Sequence, residues 1–527
     1  MDALTQEFLK YIKSCKLLPN RNPKYGDFCL KNQKNELPTN LASFIKTNKI
    51  RHNLNINLSL ELKFALIQHL STINQSGEDG VIIEYSSPNA NKPLHIGHLR
   101  NNLLGQSLSN LIPRSATRNL INDRGIHICK SLIEYMKLSS EERTAKPGDQ
   151  VAGDCYVKFC NAVKSDPELL TKAQELLVKW ESGDPKVHSE WLEMRNQVCL
   201  GFQSTYDLYQ TRFSKWEYES ENYLKGKKVV MSHPLFKRAE DGSYRVYYED
   251  IGLPPNGKST YSTVLRADGT SIYLTQDIGI ALERIDTLSP RKLIYVVADE
   301  QKQHFKVLFA ILYKIRPKLT TELVHYSYGM IFLNSGRLKS RTGQTVDAAD
   351  LLSDVTKLVK TTHDTDPETS QKIALAAIKY QFLRPKPEKP VKFNPEESVK
   401  LQGDTGPYLQ YTNARINSLV KKTSIEPSVA VNKLSTVLEN ELLNEIFYGW
   451  YSLYLNQQLS VPSPASVCQV AYCLCRAINK FYVDHLIIAI QETQPELASQ
   501  RLNLLLTAQN LLNHCCDQVG IPLLDKM

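Results

Sequence analysis

The apolar positions of this chain change period twice in the same way. VIIEYSS (81–87) opens with a β-branched apolar run and is bounded by Gly80 and by Ser87-Pro88, the pattern of a buried strand. Beyond it Leu104, Leu108, Leu111 and Ile112 recur at helical spacing, which predicts a helix from about His95 to Ile112 with one face on a sheet. KLIYVVADE (292–300) and then HFKVLFAILYKI repeat that order. Two strand-loop-helix units predict an α/β domain. Between them, residues from about 140 to 240 are charge-rich and mostly helical in pattern, as in PELLTKAQELLVKWESGDP, and read as an insertion. The sheet is expected to resume near YLTQDIG (273–279).

The last third has a different period throughout. Val467, Val470, Ala471, Leu474, Ile478, Phe481 and Tyr482 line one face of a helix over 464–485, and residues 500–519 repeat the pattern up to Gly520, a helix stop. This predicts an all-helical C-terminal domain. RPKPEKPVKFNPEES (384–398) holds four prolines and is expected to be a connector or ordered loop ahead of its central helices. Residues 1–78 carry short amphipathic stretches and polar, Asn-rich connections, ending in the linker-like INQSGEDG. The expected division is therefore 1–78, 79–345 with the insertion inside it, and 346–527.

Composition narrows the class. At 527 residues the chain is long enough for several cores, and 42% hydrophobic with 23% charged residues is the balance of a folded protein. A net charge of +9 suits a polyanionic partner, although a solvated basic surface is the commoner cause. The eleven cysteines are scattered, and Cys473/Cys475 and Cys515/Cys516 lie in segments of helical pattern without a second CxxC. Reduced thiols and no metal site are expected. The N-terminal stretch MDALTQEFLKYIKSCK lacks the pattern of a signal peptide, and no apolar run approaches a membrane span, so a cytoplasmic protein without membrane contact is expected.

The candidate chemistry sits where the first strand hands over to its helix, in SSPNANKPLHIGHLRNNLLG (86–105). A helix N-terminus beyond a strand's carboxyl end attracts anions. Gly97 leaves room for a ring or sugar to approach the backbone, and His95 and His98 can project to one side as donors to a phosphoryl group. Alone, HxxH reads better as the start of a capped surface helix with incidental histidines. The longer string resembles the signature of class I aminoacyl-tRNA synthetases, and SSPNANKPLHIGHLR resembles the arginyl-tRNA synthetase version. VIIEYSSPN, NDRGIHICKS (122–131), LRADGTSIYLTQDIG (265–279), YVVADEQKQHF (295–305), GRLKSRTGQTVDAADLL (336–352) and GDTGPYLQYTNARINS (403–418) resemble further segments of that family, of a bacterial, Bacteroidetes-like kind, in its order.

The resemblance implies a Rossmann-like class I catalytic domain with a helical insertion, an α-helical anticodon-binding domain and a small N-terminal α+β domain that also binds tRNA. It implies that Glu84, Asp277 and Tyr273 face the guanidinium of substrate arginine, that Asn89 and Gln301 hold its amino and carboxylate ends, and that His304 lies at the nucleotide pocket. Taken singly, Asp277 reads as a helix-start carboxylate, Glu84 as a strand-end charge and Tyr273 as a core aromatic. The basic loop SGRLKSRTG departs from the usual KMSKS-like form by lacking its first lysine; Arg337, Lys339 and Arg341 supply charge for ATP there, and Lys92 is the implied substitute. Tyr408, Tyr411 and Arg415 match positions used for tRNA, with core tyrosines and a solvated arginine as the even alternative. The implied activity is arginine-tRNA ligation from L-arginine, ATP with Mg2+ and tRNA(Arg), by a monomer. A catalytically inactive tRNA- or partner-binding paralogue is the alternative. The match weakens over residues 1–78, and at Pro113, Arg114, Arg118 and Asn119, where apolar strand residues are expected.

Overall fold

The computed structural model describes residues 79–527 apart from 258, 334–345 and 429–433, together with 60–73 and the strand backbones at 18–19, 28–31, 45–50 and 53–58. Near the N-terminus, β1 (Leu18–Pro19), β2 (Phe28–Lys31), β3 (Ile45–Ile50) and β4 (Asn53–Leu58) form an antiparallel sheet of order β1-β2-β4-β3, followed by helix α1 (Leu60–Ile73). The chain divides into two compact units. One comprises Gly77–Val355 with Pro385–Asn394, the other the described parts of Met1–Ser76 with Thr356–Arg384 and Pro395–Met527.

The first unit is built on five parallel strands. β5 (Val81–Glu84) is followed by α2 (Ile96–Leu111), β6 (Ala116–Ile121) and α3 (Ile126–Tyr135). The insertion then supplies α4 (Ser140–Thr144), α5 (Gly148–Ala162), α6 (Leu169–Glu181) and α7 (Pro185–Tyr209) before β7 (Lys215–Tyr218) rejoins the sheet and leads into α8 (Glu219–Ser232). A small antiparallel sheet, β8 (Lys237–Arg238), β9 (Tyr244–Tyr247) and β10 (Tyr261–Leu265), precedes α9 (Tyr273–Leu288). β11 (Lys292–Ala298), α10 (Lys302–Ile315) and β12 (Glu322–Tyr328) complete the order β12-β11-β5-β6-β7. β5 pairs with β6 on one side and β11 on the other, all parallel, so the chain reverses its direction of growth at β5. That reversal opens a crevice at the carboxyl ends of β5 and β11. Leu308, Ile311 and Leu312 of α10 and Ile278, Leu282 and Ile285 of α9 share a core with Ile82 and Leu293 of the sheet.

Two expectations change here. YLTQDIG is not a strand but the first two turns of α9. The Thr275 hydroxyl accepts the Ile272 N–H at 3.2 Å, and Leu274, Ile278, Ala281, Leu282 and Ile285 bury one helical face, so packing overrides the short apparent alternation. The proline-rich segment contains β14 (Val391–Phe393), which pairs in parallel with β13 (Ile331–Leu333) inside the first unit. The four residues between Pro390 and Pro395 leave enough N–H groups for that pairing.

Helix α11 (Ala348–His363) runs from the first unit into the second. The second holds α12 (Pro367–Leu383), α13 (Pro395–Ser398), α14 (Gly406–Lys422), α15 (Val437–Gln457), α16 (Pro464–Asp484), α17 (Ile487–Ile490) and α18 (Pro495–Val519). Asp366, Thr405 and Thr436 cap three of these helices, and Gly520 ends α18 in the left-handed conformation at φ 65°, where a side chain would be strained. Among the described residues no helix is long and apolar enough to cross a membrane, and no group of His, Cys, Asp or Glu is arranged to hold a metal ion.

Candidate active site

The crevice begins with a strained turn. Ser86 and Ser87 follow β5 at φ 70° and 46°, a left-handed pair without glycine. Each such residue costs about 1–3 kcal/mol and persists only where its surroundings hold it. Asn101 on α2 accepts the Ser86 N–H at 2.6 Å and donates to the Val296 carbonyl of β11 at 2.6 Å. Asn119 on β6 accepts the Ser87 N–H at 3.1 Å, and Tyr206 on α7 joins Ser86 Oγ at 2.7 Å and takes the Asn119 amide at 3.2 Å. Asn119, out of place as a strand residue by propensity, is the buried acceptor this turn requires. Arg118, the other unexpected strand residue, pairs with Glu217 of β7.

His95 caps α2, its Nδ1 accepting the Gly97 N–H at 3.1 Å, while His98 Nδ1 accepts the His95 N–H at 3.2 Å. The rings lie 3.9 Å apart. Burial, with the Lys92 charge nearby, pulls His95 down to about 4; burial, then the neighbouring His95 and Lys92, take His98 well below its ordinary value. Both rings are therefore neutral at pH 7, and because each Nδ1 accepts, each Nε2 carries the proton. The pair presents two uncharged donors beside Lys92. The segment before α2 is clamped across to residues 346–348, with Ile96 N–H on the Val346 carbonyl at 3.0 Å and Ala348 N–H on the Leu94 carbonyl at 2.8 Å. Arg337, Lys339 and Arg341 lie outside the described residues, between β13 and this clamp.

The acidic residues gather close enough for Asp277 to act on both Glu84 and Glu219. Glu84 is buried at the end of β5, with Arg284 Nη1 of α9 on its Oε2 at 2.5 Å and the Ser87 hydroxyl on its Oε1 at 3.3 Å. Burial raises its pKa despite Arg284. Glu84 thus arrives already paired with a guanidinium of the chain. Tyr273, the first residue of α9, is exposed, and the Asp277 carboxylate one turn on accepts from His304 Nε2 at 2.6 Å. The structure thereby joins Asp277 and His304, which sequence reading assigned to different substrates. Gln301 is exposed at the end of the short 3₁₀ turn Asp299–Gln301 beyond β11. Asn89 bridges to Asn122 through its backbone, and its side-chain amide has no hydrogen-bond partner among the described residues.

Glu219 was missed by sequence reading. It opens α8 immediately after β7, is 3% exposed, and its Oε2 has no partner among the described residues. Burial above all raises its pKa to about 8, Arg124 acting against this and Asp123 and Asp277 with it. Tyr273 feels the same carboxylate. The sequence signal was slight: a glutamate ending a short strand-like run, indistinguishable from a surface charge.

In the second unit, Tyr408, Tyr411 and Arg415 share one side of α14. Arg415 Nη1 donates to Asn479 Oδ1 at 2.6 Å and its guanidinium lies 4.1 Å from the Tyr482 ring centre and 5.6 Å from that of Tyr411. Asn479 Nδ2 reaches the Tyr408 hydroxyl at 3.2 Å. All three rings and the guanidinium remain partly exposed.

A parallel sheet that reverses at β5, a histidine-capped helix at the reversal and a helical second unit together define a class I aminoacyl-tRNA synthetase. Residues 61–391 match the family described as tRNA synthetases class I (R), catalytic domain, and 409–527 match the DALR anticodon binding domain. The arginine-tRNA ligase of Parabacteroides distasonis is 36% identical over 578 aligned positions, covering 99% of this chain and 93% of its own, and that of Bacteroides fragilis is 35% identical over 540, covering 93% and 89%. The Thermus thermophilus arginyl-tRNA synthetase shares the fold with a TM-score of 0.81 at 22% identity, covering all of both chains. The chain belongs to the arginyl-tRNA synthetase family.

Proposed function

We infer that this chain is an arginine-tRNA ligase, an inference carried by one observation: the strand β5, where the sheet reverses, ends in a buried acid that belongs to a cluster of carboxylates and is followed by a helix opened by a pair of neutral imidazole donors. The arginine carboxylate oxygen attacks the α-phosphorus of magnesium-bound ATP, forming the arginyl-adenylate and releasing pyrophosphate. The 2′-hydroxyl of the terminal tRNA adenosine then attacks the activated carbonyl, its proton leaves, and AMP departs. Neither step needs a covalent bond to the enzyme, so positioning and charge stabilisation supply the rate.

Asp277, Glu219 and the Tyr273 hydroxyl receive the substrate guanidinium, with Glu84 adding negative potential from behind its own partner Arg284. A guanidinium leaving water needs planar acceptors of opposite charge, and lysine cannot present the same fork. The free Asn89 amide and Gln301 take the amino and carboxylate ends. The Nε2–H groups of His95 and His98, the backbone at Gly97 and the charges of Lys92, Arg337, Lys339 and Arg341 meet the phosphates. His304, bound to Asp277, stands between amino acid and nucleotide. Tyr408, Tyr411 and Arg415 stack and pair on the anticodon. Residues 1–78 form an additional tRNA-binding domain, 79–345 the catalytic domain and 346–527 the anticodon-binding domain, of a monomer working in the cytoplasm. Each acid and donor that ligation needs is present, whereas a catalytically inactive relative has no physical need to keep both sets.

The deciding test is charging of tRNA(Arg) with labelled arginine. ATP- and tRNA-dependent incorporation is expected, and Asp277→Asn is expected to raise the KM for arginine about tenfold or more while ATP still binds. Folded protein that incorporates nothing, or an Asp277→Asn enzyme with unaltered arginine kinetics, contradicts the reading.

A further inference from the structure

Beside Glu219 the chain has built a receptor for a guanidinium and filled it with its own. Arg124 leaves β6 just before α3, with its side chain 6% exposed. The guanidinium carbon lies 3.9 Å from the ring centre of Tyr223 on α8 and 5.9 Å from that of Trp180 on α6. Nη2 binds the carboxylate of Glu181, the last residue of α6, and Nη1 lies 3.8 Å from Glu219 Oε1. Two aromatic faces and two acids surround one cation. The site described above does not use this cluster, yet it touches Glu219 directly.

We propose that Arg124 is a positioning residue for the amino-acid substrate: it pairs with Glu219 Oε1, holds that carboxylate in its orientation, and leaves Oε2 for the guanidinium of incoming arginine. This rests on the reading that Glu219 belongs to the arginine subsite. Gln276 donates to the same Oε1, so the neutral and the charged donor share one oxygen, while the other is buried and has no hydrogen-bond partner among the described residues. Asp123 and Asp277 bear on Glu219 with like charge, Tyr273 stands at the mouth, and Arg124 is the cation paired with it among the described residues. Around Arg124 stand Glu181, Tyr223, Trp180 and the thiol of Cys129. Burial and like charge favour the protonated carboxyl, in which form Glu219 cannot meet a guanidinium as an anion; Arg124 opposes both. The helical insertion, through Glu181 and Trp180, holds Arg124 in place and thereby reaches the arginine subsite.

The test uses the full chain with tRNA(Arg) and measures kcat/KM for arginine and for ATP between pH 6 and 9. Arg124→Met is expected to raise the KM for arginine about tenfold at pH 7, the consequence of moving the acidic limb of kcat/KM(arginine) up by about one pH unit, with the KM for ATP unchanged. Arg124→Lys retains the charge and is expected to keep the limb. Glu181→Gln leaves Arg124 less neutralised and is expected to move the limb to lower pH, a readout that survives if Arg124→Met fails to fold. Limbs unmoved in both Arg124→Met and Glu181→Gln, or equal losses for arginine and ATP at every pH, overturn the proposal. Glu219→Gln separates the two levels. An unaltered arginine KM in that variant removes Glu219 from the subsite and the proposal with it, whereas a raised KM in Glu219→Gln beside an unaltered Arg124→Met overturns the role of Arg124 alone.

Discussion

Glu219 makes the site sensitive to pH in a direction that can be worked out. Its pKa is raised to about 8 by burial, and in the proposed subsite the substrate guanidinium binds the ionised form. kcat/KM for arginine should therefore rise as pH passes upward through about 8, and Glu219→Gln should flatten that rise. His95 and His98 behave oppositely: both are already neutral well above the pH at which they protonate, so no limb near 6.5 is expected from either. Replacing His98 with Ala should lower kcat by about 10²- to 10³-fold, the usual loss for one donor to a charge-developing oxygen, while the KM for arginine holds. An equal rise in arginine KM would move His98 out of the phosphate seat. His95, His98 and Gly97 were legible in the sequence because they form a string. Glu219 and Arg284 were not, since their meaning depends on burial and on partners far along the chain.

At the scale of elements, α8 and α9 decide where the acids meet. A Cβ on Gly226 would lie 1.8 Å from the Thr275 carbonyl oxygen, and one on Gly279 would lie 2.4 Å from Gly226 N, so the two helices touch backbone to backbone. That contact brings Glu219, the first residue of α8, beside Tyr273 and Asp277 in the first turns of α9. Gly226→Ala should cost about 1–3 kcal/mol of stability and raise the KM for arginine together with it. Thermal unfolding and charging kinetics measure both; a stable variant with normal kinetics would show that the helices can separate without loss. Sequence periodicity located α2, α10, α16 and α18, whose apolar stripes are long and regular. It failed at α9, where seven residues of mixed pattern also fit a strand and only the helix cap at Thr275 and the packing on α8 choose between them.

For the whole molecule, the division into two units predicts effects that separate by unit. Arg415→Ala should raise the KM for tRNA and lessen its salt dependence without altering the KM for arginine, since phosphate pairing carries the ionic term. A change confined to arginine kinetics would contradict an RNA role. Stability also has a local pH signature. Lys379, buried on α12 and donating to the Gly520 carbonyl at 2.6 Å, has its pKa pulled down to about 7 by burial. Between pH 7 and 9 the unfolded chain keeps a proton that the folded unit has lost, so stability should increase with pH over that interval. Lys379→Met should remove this slope, read by denaturant unfolding at several pH values.

The sequence by itself determined the α/β core, the helical C-terminal half and the family, because long apolar periods and contiguous motifs are local properties of the chain. It also marked Glu84 and Asp277 for the guanidinium and His304 for the nucleotide. Only the tertiary structure decided that Glu84 is already paired with Arg284, that Asp277 meets His304, and that Asn119 is a turn acceptor rather than a poor strand residue. It alone set Arg124 and Glu219 together. Charge pairing over such separations follows from how strands and helices converge at the reversal of the sheet, and nothing in the order of neighbouring residues encodes that convergence.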